Sequence, residues 1–216
     1  MITYKDQMDF FRIISNNLEN NVECYAFGGT AMMFYGYKDE TKDIDLLFES
    51  EALRKIFIDA IVKLGFEETS PIKIYIPEKL RYKGKPLMFR RDEFRLDLFA
   101  KEIFRTKLSE RMKADKFAVH EFRENKTLMI NVLKTEHIAY LKAITERDRD
   151  FEDILTIIRK DKSFDWHYFI HETIWQHEHG DSWALLDVEK TILELKKYIL
   201  IEEKYLKQLY SAKTRK

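Results

Sequence analysis

One cysteine, Cys24, is present in 216 residues, so no disulfide can form within the chain. It falls in an apolar run, where a thiol behaves as a small buried hydrophobe, and this suits a reducing compartment. Three prolines and six glycines leave little material for flexible linkers, and mostly regular structure is expected. An excess of charge of either sign is also missing. Lys and Arg number 38 and Asp and Glu number 38, for a formal net charge of zero. That balance argues against a globally electropositive coat for nucleic acid, while leaving room for a local basic groove. No apolar stretch approaches the roughly 18 residues of a membrane span. The opening Met1-Ile2-Thr3-Tyr4-Lys5 does not have the basic-then-apolar order of a secretory leader. The expectation is a cytoplasmic chain with no membrane partner and no internal repeat.

What is present divides into two kinds of pattern. Between Asp6 and Glu19, Phe10, Phe11, Ile13, Ile14 and Leu18 recur at helical spacing. Val22 to Phe27 reads as a strand that breaks at Gly28-Gly29 before a short helix over Ala31 to Tyr35. From Asp43 to Phe48 acid first alternates with aliphatic residue, which puts Asp43 and Asp45 on one face of a strand. Glu51 to Leu64 is an amphipathic helix stopped by Gly65. Residues 69 to 92 carry all three prolines, with strands expected at Ile72 to Ile76 and Leu87 to Phe89. Phe94 to Phe99 alternates again and presents Arg95, Asp97 and Phe99 to one side, and Phe117 to Phe122 with Thr127 to Val132 reads as a hairpin. Beyond Thr135 the period turns helical and stays so, with one helix opened by Ser163-Phe164-Asp165 and closed by Gly180, then an apolar repeat from Leu185 to Leu209 and a basic tail at Lys213 to Lys216. The chain is therefore expected to be α+β, with a core over residues 1–134 and a C-terminal helical bundle over 135–216.

The chemistry concentrates in the first part. Gly28-Gly29-Thr30 is a turn whose backbone could approach a phosphate, and it is followed by the paired acids Asp43 and Asp45 and the later acid Asp97. Three carboxylates converging from two strands can hold two divalent cations about 3.5–4 Å apart, which clamp the entering and leaving oxygens of a phosphoryl displacement. Magnesium takes oxygen ligands and keeps several waters, so such a set needs neither histidine nor cysteine.

The segments Tyr25-Ala26-Phe27-Gly28-Gly29-Thr30-Ala31, Thr41-Lys42-Asp43-Ile44-Asp45-Leu46-Leu47 and Leu96-Asp97-Leu98-Phe99 resemble the nucleotidyltransferase fold of the polymerase-beta-like superfamily. The resemblance is closest to the AbiEii-like toxin and minimal nucleotidyltransferase branch of bacteria and archaea. It extends to Leu141-Lys142-Ala143 and Arg149-Asp150-Phe151-Glu152-Asp153, similar to the helix that follows the core in that branch. It implies a mixed β-sheet flanked by helices. It also implies Asp43, Asp45 and Asp97 as catalytic, metal-binding residues for Mg2+ or Mn2+, with Asp97 accepting the proton of the attacking hydroxyl. Gly28, Gly29 and Thr30 would hold the phosphates of a nucleoside triphosphate. Lys142 would contact a phosphate or orient the carboxylates, or else form a structural ion pair with Asp150 or Asp153. Asp39 stands where relatives often carry an arginine, so any substrate role tied to that arginine does not transfer.

The implied activity moves a nucleoside monophosphate from an NTP to a hydroxyl of RNA, such as a tRNA 3′ end, or of a protein, in a toxin–antitoxin or defence setting with an antitoxin partner. Two alternatives stand beside it: an aminoglycoside-like small-molecule nucleotidyltransferase, and a catalytically silent nucleotide-binding or partner-binding module. Other motifs read more plainly. His167 and His171 have the spacing of a helical zinc pair, but Tyr168 replaces the glutamate of such a motif and no cysteine joins them, which leaves a polar helix face. Trp166, Trp175 and Trp183 are expected to pack the helical bundle. Lys79, Arg81, Lys83, Lys85, Arg90 and Arg91 form a charged run that is either a solvated loop or a substrate contact.

Overall fold

The computed structural model describes residues 1–145 and 148–214. Arg215 and Lys216 of the basic tail lie outside the described residues. The chain divides into two compact units, Met1–Leu133 and Lys134–Lys216.

The first unit begins with β1 (Ile2–Thr3), α1 (Tyr4–Asn17), β2 (Val22–Ala26), α2 (Gly28–Phe34), β3 (Glu40–Thr41), β4 (Ile44–Phe48) and α3 (Glu51–Lys63). It continues with β5 (Glu67–Thr69), β6 (Leu87–Arg91), β7 (Phe94–Ala100), β8 (Glu102–Ile103), β9 (Thr106–Lys107), α4 (Glu110–Ala114), β10 (Lys116–Arg123) and β11 (Thr127–Leu133). The architecture is α+β around one mixed sheet of order β10-β11-β2-β4-β7-β6-β5, with β8 and β9 appended at β7. Two neighbouring pairs in it are parallel, β11 with β2 and β4 with β7; the other pairs along that order are antiparallel.

Local sequence explains the elements that carry the site. Thr3 and Asp6 form a reciprocal capping box at the start of α1, satisfying backbone donors that a helix leaves open. The face of α1 bearing Phe10, Phe11 and Ile14 is buried, and Phe11 meets Phe122 of β10. Ser15, near the end of α1, is buried; its hydroxyl proton is shared between the carbonyl oxygens of Phe122 and Lys126, while its oxygen accepts from Glu124 N–H. Ser50 caps α3, and Phe57 of that helix packs against Phe48 of β4. Phe57 is fully buried, a stabilisation of about 1.5–3 kcal/mol. Because side chains alternate along a strand, α3 covers the face of β4 that carries Ile44, Leu46 and Phe48, and Asp45 points to the opposite face.

The expected strand over Ile72 to Ile76 does not form. Ser70 and Pro71 open a single 3-10 turn at Pro71–Lys73, and Ile72, Ile74 and Ile76 remain exposed. The side of β6 away from β7 is taken by β5, so the alternating isoleucines do not pair with β6. Two smaller differences concern the site. The helix after β2 starts at Gly28 itself, which takes φ of +57°, and β4 starts at Ile44, leaving Asp43 in the bend before it.

The second unit is helical: α5 (Thr135–Ala143), α6 (Asp148–Lys160), α7 (Trp166–Glu178), α8 (Ala184–Leu195) and α9 (Glu203–Lys213). Asp165 caps α7. Helix α5 is buried along its length and packs on α6, α7 and α8. Trp166 packs among Phe164, Phe169 and Tyr205 as expected. Trp175 instead stacks on His179, and Trp183 is 53% exposed, so its side chain is not a packing element. Among the described residues, no helix is long and apolar enough to cross a membrane.

Candidate active site

The parallel pairing of β4 with β7 places Asp45 directly beside Asp97. Partners in register on neighbouring strands point to the same face, so both carboxylates emerge on the side away from α3. Asp43, in the bend before β4, reaches the same place. Each of the three acids offers an oxygen within 4.8 Å of those of the other two, and they form the one group of potential metal ligands of this kind among the described residues. Asp97 is completely buried, whereas Asp43 and Asp45 are half-buried.

The glycine turn fits against these acids as a matter of space. A Cβ on Gly28 would collide with Asp45 Oδ2 and lie 3.1 Å from its Cγ, and the positive φ is itself one that only glycine adopts freely. A Cβ on Gly29 would collide with Thr41 Oγ1, whose hydroxyl lies 3.5 Å from Asp43 Oδ1. Thr30 takes an inward role. It is fully buried, and its hydroxyl accepts the Asp45 backbone N–H at 2.8 Å, which locks the start of α2 to the strand that carries the acid.

Two further side chains meet the carboxylates. Arg95, two residues before Asp97 and therefore on the same face of β7, forms ion pairs with Asp43 and with Asp97 Oδ1, the latter at 3.3 Å. Tyr75 donates its hydroxyl to Asp97 Oδ2 at 2.6 Å. Arg95 was visible in the strand alternation. Tyr75 had no comparable signal, because it comes from the proline-rich segment in which no sheet partner could be read.

Beside the acids opens a cavity of about 710 Å³ whose lining includes Lys42, Lys73, Arg90 and Arg95, with Glu93 as an acidic member. Of the basic run noted in the sequence, Arg90 thus lines a cavity, while Arg91 donates to Leu64 O and Lys79 lies over the Phe104 ring. Lys142 belongs to the second unit. There its ammonium is held by Asp150 Oδ1 at 3.0 Å and Asp153 Oδ2 at 2.6 Å, with little exposed surface. His167 and His171 stand with ring centroids 5.3 Å apart and line a separate cavity of about 340 Å³ in the second unit.

Two groups of β2 are shifted by burial. The Cys24 thiol, fully enclosed in β2, is pushed well above its ordinary range, which makes it a packing group. Burial also pushes the Tyr25 phenol up, reinforced by its 2.7 Å hydrogen bond to Glu49. Neither is a source of protons or nucleophiles at neutral pH.

Three carboxyl groups meet in a partly buried place with Arg95 paired to two of them, and the donors are all oxygen. That set suits a hard, oxygen-seeking dication such as Mg2+ or Mn2+ and does not suit a soft metal. No protein-family model matches the chain, and a search of curated proteins finds no match.

Proposed function

We propose that the chain is a nucleotidyltransferase of the polymerase-beta-like fold, dependent on magnesium or manganese, that moves a nucleoside monophosphate from an NTP to a hydroxyl. The acceptor in this reading is RNA, such as a tRNA 3′ end, or a protein side chain, and the setting is a cytoplasmic toxin or defence system with an antitoxin partner. The observation that carries the reading is the Asp45–Asp97 register with Asp43 alongside, backed by glycines that cannot accept a Cβ.

Asp43, Asp45 and Asp97 would hold the cations, which supply charge neutralisation at the reacting phosphate. The chain's own groups do the rest by position. Gly28 and Gly29 let the start of α2 lie directly against Asp45 and Thr41, which a Cβ at either position would prevent. Thr30 fixes the Asp45 backbone. Lys42, Lys73 and Arg90 give the neighbouring cavity a positive lining for phosphate-bearing groups. Asp97, buried and able to accept from a hydroxyl, takes the proton of the attacking O–H. Most of the rate enhancement in this scheme is positioning and electrostatics.

The test is incubation with labelled NTPs and Mg2+ in the presence of total tRNA or of cell extract. The proposal expects label on one of these fractions and at least about a hundredfold less with Asp45→Asn. Nucleotide binding with no label in any fraction would instead identify a silent nucleotide-binding module.

A further inference from the structure

An acceptor for nucleotidyl transfer must bring an O–H to the carboxylate that receives its proton, within about 2.6–3.2 Å. Tyr75 already does this, with its hydroxyl 2.6 Å from Asp97 Oδ2. Its ring is held as well as its hydroxyl. It meets Phe104 edge-on at 5.2 Å, and Phe104 meets Phe99 of β7 in the same way at 5.5 Å. The segment that carries Tyr75 is fastened at both ends. Ser70 caps the 3-10 turn before it, and Gly84 pairs with Phe104 after it, where a Cβ would lie 2.6 Å from Phe104 O. A phenylalanine would keep the ring contacts but lose the hydroxyl's bond to Asp97.

We infer that Tyr75 is an acceptor within the chain: the protein transfers a nucleoside monophosphate from an NTP to its own Tyr75. This inference rests on the nucleotidyl transfer proposed above. The Tyr75 oxygen bonds to the α-phosphorus, the bond from that phosphorus to the bridging oxygen of the β-phosphate breaks, and pyrophosphate leaves with the electron pair. The phenolic proton passes to Asp97. The product is a tyrosyl phosphodiester whose phenolic oxygen has no O–H left to donate to Asp97, and its negative charge lies beside a carboxylate. Modification therefore removes the bond that ties the 70–82 segment to Asp97.

The full chain is incubated with Mg2+ and each of the four NTPs in turn, then read by intact mass and peptide mapping. One nucleotidyl adduct on the Tyr75 peptide is expected, absent from Tyr75→Phe and from Asp45→Asn. Hydrogen exchange without metal or nucleotide gives a second readout, and Tyr75→Phe is expected to exchange several-fold faster across residues 70–82. Transfer to tRNA or to an extract protein with Tyr75 unmodified overturns the inference and leaves nucleotidyl transfer standing. Transfer to no acceptor at all overturns both. An adduct that persists in Asp45→Asn assigns the chemistry elsewhere and overturns it, as does exchange that is the same in wild type and Tyr75→Phe.

Discussion

Asp45 and Asp97 are register partners on neighbouring parallel strands, so the sheet itself, and no loop, sets the separation and common direction of two of the three clustered acids. A site built this way is tied to the stability of the β4–β7 pair. It also gathers three acids in one place, with Arg95 paired to Asp43 and Asp97.

Replacing Asp45 by Asn removes one anion and keeps the shape. The metal-free protein is expected to melt at the same temperature as wild type or higher, because repulsion among the acids falls. The rise in melting temperature that Mn2+ gives the wild type should disappear. Thermal scans with and without Mn2+ check both halves.

Arg95 pairs with both Asp43 and Asp97 and so stands where a cation would be drawn. Arg95→Met is expected to destabilise the metal-free protein by roughly 1–3 kcal/mol, the scale for losing hydrogen bonds to charged groups. Mn2+ should bind the variant more tightly and restore part of the loss. Calorimetric titration and urea unfolding, each with and without metal, measure the two effects.

The close fit of α2 on β4 gives a pair of outcomes of different size. Thr30→Val keeps the volume but removes the acceptor for Asp45 N–H, for an expected cost of about 1–3 kcal/mol in unfolding free energy. Gly28→Ala adds a Cβ against Asp45 at a positive φ, so it should displace the carboxylate and weaken Mn2+ binding even where the fold survives. Urea midpoints and Mn2+ titrations on the two variants separate the effects.

Acid sensitivity has an identifiable source in β10. His120 stacks on Phe34 with ring centroids 4.3 Å apart, and burial pulls its pKa below the ordinary 6.5. The folded chain then binds this proton less readily than the unfolded chain. The contribution of the neutral ring is complete above about pH 6.5 and is lost as pH falls through the lower folded value. His120→Gln should flatten this part of the stability profile, measured as urea midpoints on either side of that pH.

The acids were legible in the sequence because a period of two is a strong signal where one face of a strand is buried: Ile44 and Leu46 mark the core side, so Asp45 must face away. The hairpin of β10 and β11 and the capped helix α3 were legible for similar reasons, each bounded by turn or cap residues. The register of β4 on β7 was not, since nothing local tells one strand where along another it will sit. Tyr75 was hidden for the converse reason. Ile72, Ile74 and Ile76 imitate a strand, but Ser70 and Pro71 open a 3-10 turn there and the three side chains stay exposed. Thr30 was expected at phosphates, and only the three-dimensional structure reveals that its hydroxyl is turned inward to Asp45 N–H.

Asp43, Asp45 and Asp97 are proposed to act together as a dication site for an NTP. Electron paramagnetic resonance can count Mn2+ bound to the full chain, alone and with a non-hydrolysable NTP, in wild type, Asp45→Asn and Asp97→Asn. Mn2+ binding is expected to tighten with nucleotide in the wild type and to be lost in both variants. Wild type that binds no Mn2+ in either condition, or variants that bind it as well as wild type, would contradict the proposal.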